Sequence, residues 1–225
     1  MILKRQKLFA VFSMIGFVLL WAVLTDAWNY SSLISTAQHN IKLYTYLYSY
    51  LSRIVWTLPA IVLIFRFNKN LFWSKKQLFS KPKAEPVFAA FIAVISIYVF
   101  ISMMIKYKAF HVTEENLLPL TVKFITVGFC EETVFRGFGY NLMKKVCSDT
   151  VSLIISALMF VLLHWPAYFI KLILYGSFDL SGFIAQSISA FFCGILFAIM
   201  LKRSGTIWNP IIAHFYYDLM LEVFV

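Results

Sequence analysis

The chain has 225 residues, of which 61% are hydrophobic and only 13% are charged. A soluble domain is about half apolar and about a quarter charged, so a chain of this composition cannot hide its apolar surface from water. The net charge of +10 would suggest a nucleic-acid partner in a soluble protein, but no polar stretch here is long enough to form a soluble domain. The composition therefore predicts one all-α membrane domain with lipid partners and no nucleic acid.

Seven hydrophobic segments predict a polytopic bundle of about seven transmembrane helices, within a range of six to eight. Each approaches the roughly 20 residues that a helix needs to cross a bilayer core. We expect the first to be a retained helix rather than a cleaved signal peptide, because its apolar run is long and no clear cleavage site follows. The fifth could end near Pro166 and continue along the interface. The segments are residues 8–26, 45–65, 87–105, 117–143, 151–169, 182–201 and 206–224.

The basic residues predict that the N-terminus is inside, because Lys and Arg collect in cytoplasmic loops. With this orientation, 13 Lys and Arg residues lie in inside loops and 4 in outside loops. The outside four are Lys42, Lys106, Lys108 and Lys171. The polar stretch 67–86 becomes a basic cytoplasmic linker that we expect to lie on anionic headgroups. It divides the chain into a two-helix part, 1–86, and a five-helix core, 87–225.

Ionisable residues inside the hydrophobic segments concentrate in the C-terminal half of the chain. Each costs several kcal/mol to insert, so such residues usually mark a functional site. This asymmetry predicts that the site lies within residues 117–225. The three cysteines have no metal-ligand spacing, and we expect neither a disulfide framework nor a structural zinc site. The ionisable residues in question are Lys123, Glu131, Glu132, Arg136, His164, His214, Asp218 and Glu222.

The fourth segment contains two adjacent carboxylates and an arginine. Adjacent helical residues point about 100° apart, whereas residues four apart can meet. We therefore expect Arg136 to pair with Glu132, which leaves Glu131 on a neighbouring face and able to accept a proton. The alternative is that Glu131, Glu132 and Arg136 form one buried ion network that only fixes helix packing.

Two later segments each contain histidine. A lone His164 on an apolar helix is commonly structural, held by a hydrogen bond. His214 and Asp218 are four residues apart on one face, a spacing that suits two metal ligands, an imidazole oriented by a carboxylate, or an interhelical hydrogen bond. Taken together, the carboxylates and histidines can activate water and stabilise an oxyanion in a dry site. They could equally hold one divalent metal ion such as Zn²⁺.

At these residues the chain resembles the CPBP family of intramembrane proteases, also called the CAAX-protease and Abi family. Three motifs appear in the order of the family: Glu131-Glu132-Thr-Val-Phe-Arg136, Phe160-Val-Leu-Leu-His164 and His214-Phe-Tyr-Tyr-Asp218. The ordered triple, with each motif on a hydrophobic segment, covers about residues 117–218. The eukaryotic CAAX enzymes have Asn where this chain has Asp218.

The resemblance implies an intramembrane endopeptidase. Glu131 and His164 would activate the attacking water, His214 with Asp218 would hold the oxyanion or complete the polar site, and Glu132, Arg136 and Phe160 would support the geometry. Members are often named metalloproteases, although a glutamate mechanism without metal fits the same residues. If a metal is bound, its ligands would be Glu131, His164, His214 and Asp218.

The substrate would be a membrane-associated peptide or protein, lipidated or CAAX-like substrates included. We expect it to enter from the cytoplasmic leaflet. The composition suits a multi-pass protein of a bacterial plasma membrane. Two other functions stay open: a bacteriocin-immunity or binding protein that keeps the fold without cleavage, and a small proton-coupled transporter in which the same groups relay protons.

Overall fold

A computed structural model describes residues 2–30, 48–109 and 117–224, and these residues are helical with no strand. The predicted outside loop around Lys42 lies outside these ranges. A π-helical turn, Tyr48–Ser52, precedes α2, and a longer π-helix, Thr133–Tyr140, joins α5 to α6. The helices are α1 Ile2–Tyr30, α2 Arg53–Arg66, α3 Lys75–Leu78, α4 Pro86–Tyr107, α5 Leu117–Glu132, α6 Asn141–Val146, α7 Asp149–Tyr175, α8 Leu180–Ser204 and α9 Trp208–Phe224.

Four helices in the described ranges are long and apolar enough to cross a membrane: α1, α4, α7 and α8. The helix α2 has 14 residues and α9 has 17, so the predicted count of seven spans is not confirmed. The predicted orientation stays a prediction. The fifth predicted segment is a helix of 27 residues that continues through Pro166 to Tyr175. It is therefore longer than predicted and does not turn aside after Pro166.

Large apolar side chains cover the outside of the bundle. Phe12, Val94, Ile105 and Ile173 are all more than half exposed. In water this surface would be very unfavourable, whereas lipid tails solvate it without penalty. The exposed surface agrees with the composition in identifying lipid as the surrounding solvent.

The basic linker, which we expect to lie on anionic headgroups, also packs against the bundle through its apolar residues. Leu71, Trp73 and Leu78 are buried in the main core. The side chain of Asn141 binds the backbone of Trp73 twice: its Oδ1 accepts from the Trp73 N–H at 2.7 Å, and its Nδ2 donates to the Trp73 carbonyl at 3.0 Å. The apolar residues between the lysines thus anchor the linker to the beginning of α6.

Further contacts fix the linker to α8 and α9. The Ile207 N–H donates to the Leu78 carbonyl at 2.9 Å. Asn209 makes a second two-bond bridge, accepting from the Lys83 N–H at 3.0 Å and donating to the Lys83 carbonyl at 2.8 Å. Glu85 caps the first turn of α4 and pairs with Arg203. The linker and the ends of α6 and α8 therefore share one end of the bundle, called here the linker end.

The helices pack so that the π-helix Thr133–Tyr140 is central, with every one of its residues buried. It contacts α2 and α7, while α9 packs on α5 and α4. Trp56 of α2 donates its indole N–H to the Phe17 carbonyl of α1 at 2.8 Å, and its ring lies 5.1 Å from Trp21. The N-terminal helices are thus part of the same core as the C-terminal ones.

Candidate active site

Glu132 is fully buried at the end of α5 and joins two helices. Its Oε1 accepts a hydrogen bond from Arg136 Nη1 at 3.0 Å and lies 3.0 Å from His214 Nδ1. Because a carboxylate oxygen accepts, the His214 Nδ1–H is the donor in this contact. The structure confirms the predicted pairing of Arg136 with Glu132, and it adds that Glu132 orients His214.

Glu131 points away from that ion pair, as the helical spacing predicts. Its nearest charged neighbours are Arg53, with Nη2 at 3.8 Å, and His214, with Nε2 at 3.9 Å. Both separations are longer than a direct hydrogen bond, so these contacts are loose ion pairs rather than hydrogen bonds. Glu131 is therefore placed beside polar groups without being bonded to Arg136.

Arg53 belongs to α2, a helix that the sequence analysis left out of the site. Its guanidinium lies over the Trp21 ring at 5.2 Å, with 14% of its side chain exposed. The cavity therefore includes a residue outside the predicted range 117–225. The signal in the sequence is a basic residue eight positions inside the predicted hydrophobic segment 45–65, which carries no other charged residue.

His164 is fixed through its own helix. Its Nδ1 lies 2.9 Å from the Phe160 carbonyl, which can only accept, so Nδ1 carries the proton. In neutral His164 the lone pair is then on Nε2. With its proton on Nδ1, His164 donates a structural hydrogen bond and can still accept a proton on Nε2.

Phe160 is the apolar centre around which the three motifs meet. The Arg136 guanidinium lies 4.2 Å from its ring centroid. The His164 and His214 rings contact Phe160 edge-on, with centroids at 5.1 and 5.7 Å. A guanidinium over a ring face gains cation–π attraction, most of all where water is excluded. Phe160 therefore stabilises buried Arg136 and packs against both imidazoles.

The position of α9 is set by residues that the sequence analysis did not single out. Phe197 of α8 stacks on His214 with ring centroids at 5.1 Å. The two tyrosines between His214 and Asp218 bond outward: Tyr216 to Ser96 of α4 and Tyr217 to Ser189 of α8, each at 2.7 Å. These hydrogen bonds fix the rotation of α9, and His214 Nε2 lies 3.5 Å from Asp218.

Glycine lets α5 and α9 approach closely at the level of the motifs. A Cβ at Gly128 would lie 3.1 Å from the Ile211 carbonyl oxygen and 3.3 Å from the Phe215 nitrogen. Both are backbone atoms that cannot rotate away. Gly128 is one turn before Glu132, so its lack of a side chain sets the distance between Glu132 and His214.

A cavity of about 440 Å³ brings four predicted site residues together: Glu131, His164, His214 and Asp218. Glu132, Arg136 and Phe160 lie behind its wall. The other lining residues come from α1, α2, α5, α7 and α8, and they are Trp21, Thr25, Arg53, Lys123, Phe124, Val127, Leu163, Ala167, Tyr168, Lys171 and Gln186.

The cavity extends from the motifs toward the end of the bundle opposite the linker end. Lys123 is near the beginning of α5, Lys171 near the end of α7 and Gln186 near the beginning of α8. If the basic linker is cytoplasmic, this end is outside. The sequence predicts both a cytoplasmic linker and substrate entry from the cytoplasmic leaflet. Because the linker and the cavity lie at opposite ends of the bundle, only one of these two predictions can be correct.

The same side chains do not form a metal-ligand set as they are placed. Zinc ligands converge on one point at about 2.0–2.2 Å from the ion, and among the described residues no three His, Cys, Asp or Glu side chains are arranged to hold a metal ion. His214 also uses its Nδ1 on Glu132. The divalent metal considered from the sequence stays a prediction, and the chemistry of the site is argued from its own side chains.

The fold and site define a class of protein: a helical membrane protein with acid and imidazole groups around a cavity inside its bundle. Residues 113–220 match the family model of the type II CAAX prenyl endopeptidase Rce1-like proteins. The matched residues carry all three motifs and make up just under half of the chain, so this part of the chain is similar to that group of the CPBP family. No curated protein and no solved structure gave a significant match. The family implies a peptidase in a membrane.

Proposed function

We propose that this chain is an intramembrane endopeptidase that hydrolyses membrane-associated peptides or proteins, including lipidated or CAAX-like substrates. One observation carries the proposal: Glu131, His164, His214 and Asp218, from α5, α7 and α9, line the same cavity. A family match alone supports a peptidase. The shared cavity supports the specific use of these four residues.

The nucleophile is a water molecule held by Glu131 and the free Nε2 of His164. Glu131 takes one proton from the water while the water oxygen attacks the peptide carbonyl carbon. The C=O bond becomes a C–O⁻ bond. Glu131 then delivers that proton to the amide nitrogen as the C–N bond breaks, which releases an amine and a carboxylic acid. The cavity that Glu131 and His164 both line provides the space for this water.

His214, as an imidazolium with a proton on both nitrogens, stabilises the oxyanion of the tetrahedral intermediate with its Nε2–H. This role needs a donor that is already oriented when charge develops. The Nδ1 contact with Glu132 and the stacking of Phe197 fix the ring. Asp218, at 3.5 Å from Nε2, supports a proton on that nitrogen. Arg136 and Glu132 act through His214 and are positioning residues.

The function is tested with purified wild type and Glu131→Gln in nanodiscs, each incubated with lipidated and unlipidated membrane peptides. Glu222→Gln is the matched control, because it removes a carboxylate from α9 that does not line the cavity. Mass spectrometry of the products should show cleavage by wild type and Glu222→Gln, with a loss of at least about 100-fold in Glu131→Gln. Thermal unfolding checks that all three proteins are folded.

A chelator arm in the same assay tests the metal prediction. Cleavage that survives chelation supports the water mechanism above, whereas cleavage restored only by added Zn²⁺ assigns the four residues to a metal. If the wild type leaves every peptide intact and Glu131→Gln retains the cellular phenotype, the non-proteolytic immunity or binding function replaces the peptidase.

A further inference from the structure

Arg53 is held beside the cavity by a helix that lies outside the family match. It is the first residue of α2, whereas the matched residues are 113–220. Its side chain is only 14% exposed, and it lines the same cavity as Glu131. A cation at this depth in a helical membrane protein is costly unless nearby groups compensate its charge. The groups around Arg53 therefore indicate what the residue does.

The two oxygens of the Glu131 carboxylate face side chains from two different helices. Oε1 lies 3.8 Å from Arg53 Nη2, and Oε2 lies 3.9 Å from His214 Nε2. Arg53 is on α2 and His214 is on α9, and both helices pack on α5. Because Glu131 is only 6% exposed, the attraction between opposite charges at these distances is much stronger than in water. The attraction of each oxygen to a different helix fixes the rotation of the carboxylate plane.

Arg53 is itself held by an aromatic pair between α1 and α2. Its guanidinium lies 5.2 Å from the centroid of the Trp21 ring, and this ring is buried. Trp21 lies 5.1 Å from Trp56, which follows Arg53 by one turn on α2 and donates its indole N–H to the Phe17 carbonyl at 2.8 Å. A planar guanidinium on an aromatic face loses little freedom when it also meets a carboxylate. The two N-terminal helices thus prearrange the cation that faces Glu131.

We propose that Arg53 is a positioning residue: its positive charge holds the Glu131 carboxylate in the orientation from which it takes the proton of water. The inference rests on the proposed function and extends the catalytic unit to the N-terminal helices. Arg53 acts through Glu131 and not on the substrate. A displacement of about 1 Å at a reacting group can cost about 100-fold in rate, so loss of the cation should slow the chemical step and leave substrate binding almost unchanged.

The kinetic test compares Arg53→Gln and Arg53→Lys with the wild type in nanodiscs, using a membrane peptide that the wild type cleaves. Arg66→Gln is the matched control, because it removes an exposed arginine from the other end of α2. We expect Arg53→Gln to lower kcat about 10- to 100-fold, with KM changed less than about threefold. Arg53→Lys keeps the charge and should restore kcat to within about threefold of the wild type. Arg66→Gln should match the wild type.

Trp21→Leu tests the aromatic support of Arg53. We expect it to lower kcat about three- to tenfold, because the guanidinium loses its cation–π contact. Added to Arg53→Gln, it should have little further effect, since it acts through a cation that is no longer present. A loss that is equally large in both backgrounds would overturn the action of Trp21 through Arg53.

Three kinetic outcomes would overturn the positioning role of Arg53. The first is an unchanged kcat in Arg53→Gln. The second is a rise in KM alone, which would make Arg53 a substrate contact. The third is an Arg53→Lys variant as slow as Arg53→Gln, which would show that the positive charge is not what positions Glu131.

Thermal unfolding separates this inference from the proposed function, because it needs no cleavage. We expect Arg53→Gln to lower Tm by about 2–4 °C in the wild type, since it leaves a largely buried carboxylate without that cation. In Glu131→Gln it should lower Tm less than about half as much. Equal losses in both backgrounds would overturn the contact between the two side chains.

Cleavage and unfolding together distinguish the possible failures. If the wild type cuts peptides and Arg53→Gln cuts them as fast, the inference is wrong and the peptidase stands. If no peptide is cut while the unfolding coupling is found, Arg53 still orients Glu131 and the peptidase is wrong.

Discussion

At the scale of single residues, Glu132 is the group on which the site geometry depends. One of its oxygens contacts both Arg136 and His214, while Oε2 is buried without a hydrogen-bond partner in the described part of the chain. Arg136 is likewise fully buried. Breaking a buried pair leaves an uncompensated charge, which costs far more than removing both charges together.

We therefore expect Arg136→Gln to lower the free energy of unfolding by about 3–5 kcal/mol. The double variant Glu132→Gln, Arg136→Gln should recover part of that loss, because the carboxylate left without its arginine is removed as well. Thermal unfolding in detergent measures both. A double variant that is less stable than Arg136→Gln alone would show that Glu132 is not the partner whose charge matters.

Gly128→Ala tests the close approach of α5 and α9. Its new Cβ would meet two backbone atoms of α9 at 3.1 and 3.3 Å, so α9 must move away and take His214 with it. We expect a loss of about 1–3 kcal/mol in stability and a larger proportional loss of peptide cleavage. Gly16→Ala is the control: its Cβ meets nothing within 4 Å, so it should be neutral or slightly stabilising.

At the scale of the elements, the π-helix Thr133–Tyr140 and the linker determine how the motif helix is held. A π-helix has one more residue in each hydrogen-bonded ring than an α-helix, so it turns less per residue, and such segments are often found at functional sites. After it, Asn141 faces the linker and binds Trp73. The two elements together anchor the helix that carries Glu131 and Glu132.

Asn141→Ala should release the linker from α6. It removes two buried hydrogen bonds and leaves the Trp73 N–H and carbonyl without those partners, at a cost of about 2–4 kcal/mol. Asn68→Ala is the control, because Asn68 bonds to the Lys75 N–H in an exposed turn. Thermal unfolding and limited proteolysis of residues 67–86 measure the difference. Equal proteolysis of the two variants would contradict the anchoring role of Asn141.

At the scale of the whole molecule, the charged linker end and the cavity lie at opposite ends of the bundle. The linker end has Lys144 and Lys202 paired with Asp149, and Arg203 paired with Glu85, whereas the cavity extends toward Lys123 and Lys171. Since basic residues stay cytoplasmic, the cavity should be reached from outside.

Cysteine labelling of intact cells tests this arrangement. In a background without native cysteines, we expect a membrane-impermeant maleimide to label Lys171→Cys from outside, and to label Lys76→Cys only after the cells are opened. Both positions are exposed. The reverse pattern would invert the orientation and return the cavity to the cytoplasmic side. Labelling of both positions in intact cells would contradict their placement at opposite ends.

The sequence by itself determined the solvent, the helical class, the motif residues and the Glu132–Arg136 pair. These follow from composition and from spacings within one helix, which depend only on local geometry. It did not give the roles of Arg53 and Phe197, the buried linker, the π-helix or the end toward which the cavity extends. Each of these depends on contacts between residues far apart in the chain. Helix periodicity predicts which residues share a face of a helix, whereas packing decides which faces meet. Only the tertiary structure could therefore decide these features.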